Sequence, residues 1–196
     1  MELKIMTQTP GLVAFDPVVL QNFVVAHKVV LPNILQALID DPNLGNEAIS
    51  AGCLLPVYSI PAWDYRVLIT MADRATVPAE WILFTTPPFV IQIQSGRLIV
   101  SDIWLILNWN ADEYLHTSAH SQDIDYTAAS EFLVSEEIEL AQGQYQVVIV
   151  GFCDTKNVDI ERRHCGYEFL FVRNDQASFS VVNSIETMNL DVVRLP

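Results

Sequence analysis

Between Arg97 and Lys156 the chain has no lysine and no arginine. Basic residues are scarce throughout: 10 face 24 acidic ones in 196 residues, for a formal net charge of -14. Binding to nucleic acid or to an anionic membrane surface needs the opposite sign, so the composition argues against both. Glycine is scarce at 7, which leaves little material for flexible linkers or a glycine-rich phosphate cradle. The patterns GxSxG, GxxxxGK[ST], GxGxxG and CxxC are all missing, which takes support from acyl transfer at a serine elbow and from nucleotide-dependent catalysis. No apolar run reaches the roughly 18 to 20 residues of a membrane helix. The nearest, residues 20–39, is broken by Gln21, Asn22, His27, Lys28, Pro32, Asn33 and Gln36. The N-terminus MELKIMTQTPG lacks the charged-then-apolar order of an export signal. These absences predict a soluble, cytoplasmic protein. Its three cysteines (Cys53, Cys153 and Cys165) are an odd count, which there predicts free thiols, with a 153–165 bridge as the minor alternative.

What is present is half hydrophobic and only 17% charged, the composition of a compact core. The length suits one domain over residues 1–196. Residues 1–52 read as a helical N-terminal region and 53–196 as an antiparallel β region. Asp16-Pro17 and Asp41-Pro42 are helix starts: a side-chain acceptor stands before a residue that tolerates the first helical position. Leu20, Phe23, Val24, Leu31, Ile34, Leu35 and Leu38 fall at near-helical spacing, although the valines leave a strand open over 23–31. Pro32 divides the segment, with a second helix near 32–40, and Gly52 closes the region. ELKIM and GLVAF, ahead of these helices, are short strand candidates.

Beyond residue 53 the hydrophobic period becomes two. CLLPVYSI, WDYRVLITM, WILFTT, FVIQIQ, RLIVSDIWLIL, EIEL, YQVVIVGF, YEFLFVR and ASFSVV read as strands without interleaved helices. That pattern predicts an α+β, mainly β protein: an antiparallel β-sandwich or open barrel with a helical N-terminal region. FVIQIQ-SG-RLIV predicts one hairpin, EIELAQGQYQVVIV a second turning at Gln142-Gly143, and 146–172 a third.

The acid-rich stretch allows three functions. Ten acids lie between Arg97 and Lys156, among them Asp112, Glu113, Asp123, Asp125, Glu131, Glu136, Glu137 and Glu139. A metal could use His116 and His120 at i, i+4, but no HExxH glutamate accompanies them. Paired carboxylates could act as acid and base, but Asp123/Asp125 and Glu137/Glu139 alternate with Ile124 and Ile138 and so point to solvent. The third reading is a protein-binding face. Asp112, Glu113, Asp123, Asp125, Glu131, Glu136 and Glu137 would form its rim, with Tyr114 and Tyr126 among the aromatic anchors. Elsewhere, Asp64 and Arg66 share a strand face and could pair. His164 and Cys165 are adjacent on a strand and point apart, which disfavours a thiol nucleophile. Trp63, Trp81, Trp104 and Trp109 mark a place for a ligand pocket inside a sandwich.

QSGRLIVSD, EIELAQGQYQVVIVG and GYEFLFV, with the turn glycines Gly96, Gly143, Gly151 and Gly166, resemble small bacterial β-sandwich immunity and toxin-inhibitor proteins over about residues 90–173. The resemblance implies a tight protein interface and no catalysis, and no cofactor is expected. It also implies a cognate toxin as partner, often a nuclease with a basic active site. Together these readings predict a non-enzymatic inhibitor that occludes a basic toxin through its acidic face. The rivals are a small-ligand-binding protein or hydrolase with a pocket inside the sandwich, and a self-associating structural subunit.

Overall fold

The computed structural model describes residues 1–107, 109–115, 134–157, 164–174, 182 and 184–193. Among them are ten strands in two sheets and four α-helices: an α+β, mainly β protein with no closed barrel.

The chain opens with β1 (Glu2–Met6) and β2 (Gly11–Phe15), followed by α1 (Pro17–Ala26), α2 (Ile34–Asp40) and α3 (Pro42–Ser50). Each helix has its own start signal. Asp16 caps α1 by accepting from the Val18 and Val19 amides, with Pro17 next in line. Asn33 caps α2 at the Gln36 amide, and Asp41 caps α3 at the Asn43 and Leu44 amides. The stretch from 23 is therefore helical up to Ala26 despite its valines. The cap nucleates the turn, and Val19, Leu20, Phe23 and Val24 bury one face. Gly52, at φ 71°, ends the helical region in a conformation that favours glycine.

The larger sheet runs β1, β4 (Asp64–Thr70), β10 (Cys165–Arg173), β9 (Gly143–Cys153), β5 (Ile82–Thr85), with β6 (Phe89–Ile93) also on β9. The smaller runs β3 (Leu55–Tyr58), β2, β7 (Arg97–Asp102), β8 (Ser135–Glu139). All pairs are antiparallel except one: β4 and β10 run parallel, with Gly166 opposite Arg66. They are far apart in sequence, so no turn dictates their direction.

Two of the three expected hairpins are corners. β6 belongs to the larger sheet and β7 to the smaller, so Gln94–Gly96 carries the chain between sheets. Asp16, fully buried, makes this possible. Its second carboxylate oxygen accepts from the Gln94 amide (2.8 Å), the Ser95 amide (2.7 Å) and the Ser95 hydroxyl (2.7 Å). β8 and β9 are likewise split between sheets. The two corners lie together: the Leu140 amide donates to the Gly96 carbonyl and the Gln142 side chain to the Gln94 carbonyl. A hairpin signal reports a reversal of the chain and does not say which sheet receives the second strand.

The third hairpin, β9–β10, forms as expected. Cys153 and Cys165 face each other at its end, with Cα atoms 4.1 Å apart, and are disulfide-bonded. The expectation of three free thiols is thus corrected: Cys53 alone is free, buried, and its thiol is pushed up to about 11 by burial and then by Glu47. The 12-residue separation closes a short loop, so the bond is worth about 3 kcal/mol in loop entropy. Cys153→Ser with Cys165→Ser is expected to lower Tm by several degrees in a non-reducing thermal melt, and reductant should do the same to the wild type alone.

Gly151 and Gly166, expected in turns, sit inside β9 and β10. Three buried tyrosines close the polar accounts of the core. Tyr65 donates to the Pro61 carbonyl, Tyr145 to Ala141 and Tyr167 to Leu190, the last fixing the C-terminal segment against β10.

Candidate interaction face

The acid-rich stretch is built on two short elements. α4 (Ala111–Leu115) starts at Asn110, whose side chain accepts from the Asp112 amide (3.2 Å) and donates to Glu113 (2.9 Å). Tyr114 faces inward. Its ring stacks on Trp109 at 5.2 Å and meets Phe15 edge-on, and burial pushes its hydroxyl up to about 12. Trp109 is itself held by a 2.8 Å bond to Gln21 of α1. α4 is thereby anchored to the core through two aromatic rings, and Asp112 and Glu113 are left exposed. In this face Tyr114 supports α4 from below.

β8 supplies the other part. Ile138 is buried and Glu139 exposed, as the alternation predicts, but Glu137, expected to face solvent beside Glu139, is only 17% exposed and turns to Arg97. Arg97, opposite Glu139 on β7, joins the two elements: its guanidinium donates to the Tyr114 carbonyl and lies 3.3 Å from the Glu137 carboxylate. The basic residue that bounds the acid-rich stretch thus ties α4 to β8. Glu136 has the same parity as Ile138, is half-buried, and has its carboxyl raised above the usual range by burial. The folded state then holds that proton more tightly than the unfolded chain, so stability falls as pH rises from about 4.5 through the raised value. Glu136→Gln is expected to raise Tm slightly at neutral pH, and the gain should vanish below the carboxylate range. Melts across pH check this. Asp123, Asp125, Tyr126 and Glu131 lie outside the described residues, as do His116 and His120. Among the described residues no group of three or more His, Cys, Asp or Glu is placed to hold a metal ion.

Among the described residues three other acids are fully buried: Asp16, Asp102 and Glu168. A buried carboxylate is the usual mark of acid/base chemistry, so their partners decide. Asp16 is saturated by five donors at the corner described above. Asp102 accepts from the Gln8 amide (2.6 Å), the Thr9 amide (3.3 Å), the Thr9 hydroxyl and the Trp104 amide (2.9 Å). It ties the β1–β2 connection to the 3-10 helix at Ile103–Ile106. Glu168 accepts from the Thr70 hydroxyl (2.6 Å), the Thr76 hydroxyl (2.7 Å) and amide (2.9 Å), and the Val77 amide (3.2 Å). Burial raises its carboxyl, but the bonds from Thr70, Thr76 and Val77 together outweigh burial and leave it below the usual value. All three act as clamps on loop backbone. Their signal in the sequence is an isolated acid within or beside an apolar strand, as in GYEFLFV and RLIVSD.

The remaining candidates disperse. Arg66 pairs with Glu2 at 2.6 Å, not with Asp64. His164 stacks on Trp81, and the neighbouring Cys165 is in the disulfide. Trp109 is buried at the core, whereas Trp104 is 51% exposed. A cavity of about 230 Å³ does exist, but α2, α3, β3, the 3-10 helix and residues 184–186 line it, and no strand of the larger sheet does. No helix among the described residues is long and apolar enough to cross a membrane.

No protein-family model matches the chain, and comparison with curated proteins gives no match. Two solved structures are similar. One is ComJ from Bacillus subtilis, described as an inhibitor of the DNA degrading activity of NucA (8% identity, 89% of this chain and 96% of that one, TM-score 0.46). The other is the product of crocagin biosynthetic gene J (12% identity, 88% and 96% coverage, TM-score 0.48). At these identities and scores neither likeness carries a functional argument.

Proposed function

We propose that the protein is a non-enzymatic, protein-binding inhibitor that occludes a basic partner, a toxin such as a nuclease, through the acidic stretch between Asp112 and Glu139. The observation that carries this reading is charge segregation. Ten of the 24 acids lie between Arg97 and Lys156 without one intervening lysine or arginine. The bounding arginine is already engaged with Glu137 and the Tyr114 carbonyl.

Asp112 and Glu113 are exposed on a helix anchored by Trp109 and Tyr114, so their charges are held in place. Fixed charge of one sign steers a basic surface into encounter, and shape and desolvation at contact set the residence time. Asp16, Asp102 and Glu168 are occupied by backbone and hydroxyl donors, which supports a binding role over hydrolysis. Asp123 and Asp125 belong to the same acid-rich stretch. Asp123→Lys with Asp125→Lys is expected to slow association with the basic partner by tenfold or more at low salt, leaving the melting curve intact. Stopped-flow association over a salt series reads this. An unchanged rate would remove the pair from the interface.

A further inference from the structure

The 230 Å³ cavity is lined mainly by aliphatic side chains. Leu35, Leu38 and Ile39 of α2, Ile49 of α3, and Ile103 and Ile106 of the 3-10 helix form an aliphatic wall. No lysine, arginine or histidine lines it. One charged side chain does: Glu186, on the Ser184–Glu186 segment that closes one side. The nearby acids are otherwise occupied. Asp40 accepts from Gln36, Asp41 caps α3, and Glu47 lies 3.5 Å from His27. Glu186 is exposed, and among the described residues no side chain engages its carboxylate.

Size narrows the occupant. An aliphatic cavity of about 150 Å³ takes up benzene, whereas sites for drug-sized ligands span roughly 300–1,000 Å³. The cavity lies between, large enough for a short alkyl chain or a single ring. Sign narrows it further. A carboxylate beside apolar walls attracts an ammonium head and repels a carboxylate, and water at this exposed position moderates the difference without reversing it.

We propose that the cavity between α2, α3 and the 103–106 turn is a binding site for a small primary amine with an apolar tail, the tail lying against the aliphatic wall and the ammonium on Glu186. The site is independent of the acidic face on α4 and β8, so either can fail without the other.

The test uses the full chain, labelled at isoleucine methyl groups and titrated with hexylamine hydrochloride, hexan-1-ol and sodium hexanoate at neutral pH. Hexylamine is expected to shift the methyl signals of Ile39, Ile49, Ile103 and Ile106. It should bind at least tenfold more tightly than hexanoate, and each methylene removed from the amine should weaken it roughly fourfold. Ile39→Trp, at a position 46% exposed and so safe for the fold, should fill the mouth and abolish the shifts. Glu186→Gln should reduce the amine to the affinity of the alcohol. Absence of shifts at these isoleucines would overturn the site. Equal binding of amine and hexanoate, or an unchanged amine affinity in Glu186→Gln, would overturn the ligand class.

Discussion

Glu168→Ala is expected to destabilise the protein by about 2–4 kcal/mol, a large part of the stability of a typical domain. The side chain is fully buried in β10, and four donors from Thr70, Thr76 and Val77 converge on it. Alanine removes the acceptor for the amides of exposed Thr76 and half-buried Val77, and each donor left unmet costs on the order of 1–3 kcal/mol. Glu168→Gln should fall between, since its amide keeps one oxygen for the hydroxyls but turns an NH2 toward the Val77 amide. The pH dependence follows from the direction of the shift. The folded carboxyl lies below its ordinary 4.5, so the stabilisation is complete above that value and is lost as pH falls through the folded one. Chemical denaturation across pH measures both effects, and hydrogen exchange at Thr76 and Val77 locates them. Unchanged exchange at those two amides would contradict the clamp.

The second large effect is steric. Gly166 stands opposite Arg66 where β10 meets β4, and a Cβ there would fall onto the Arg66 carbonyl oxygen and lie 2.7 Å from its carbonyl carbon. The obstacle is backbone in the middle of a sheet and cannot rotate away. Gly166→Ala is expected to cost about 3 kcal/mol or more, or to prevent folding. Gly151 is the control. A Cβ there would meet the ring of Phe84, a half-buried side chain that can swing aside. Gly151→Ala should therefore cost clearly less, about 1–2 kcal/mol. Paired urea melts decide the order. Equal losses, or a milder Gly166→Ala, would mean that β4 and β10 do not approach as described.

These two positions mark where the sequence stops being legible. Helix starts are local: Asp16-Pro17 and Asp41-Pro42 carry their own acceptors and fixed φ, so they can be read from a few residues. Alternation is equally local: Phe89, Ile91, Ile93 and Ile138 are buried as it predicts, while Val90 and Glu137 depart from it. Strand partners are not local. The parallel β4–β10 pair and the two corners at Gly96 and Gly143 depend on which sheet receives the next strand. At the first corner the deciding group is Asp16, 78 residues from the Gln94 amide it holds. Glu168 in GYEFLFV is visible as an anomaly, but Thr76 is 92 residues away. The Cys153–Cys165 pair needed the register of β9 on β10 before it could be told from two free thiols. Of the acidic face, composition marks the stretch and structure adds the junction at Arg97 and the inward turn of Tyr114.

Binding of a basic protein by the acidic stretch can be tested directly. The most direct measurement is capture from the lysate of the protein's own host, with the wild type beside Asp112→Lys/Glu113→Lys, washed at low and high salt and read by mass spectrometry. One dominant basic protein is expected on the wild type, weakened by salt and depleted on the charge-reversed variant. Capture that ignores both salt and charge reversal, or no captured protein in either wash, would contradict it.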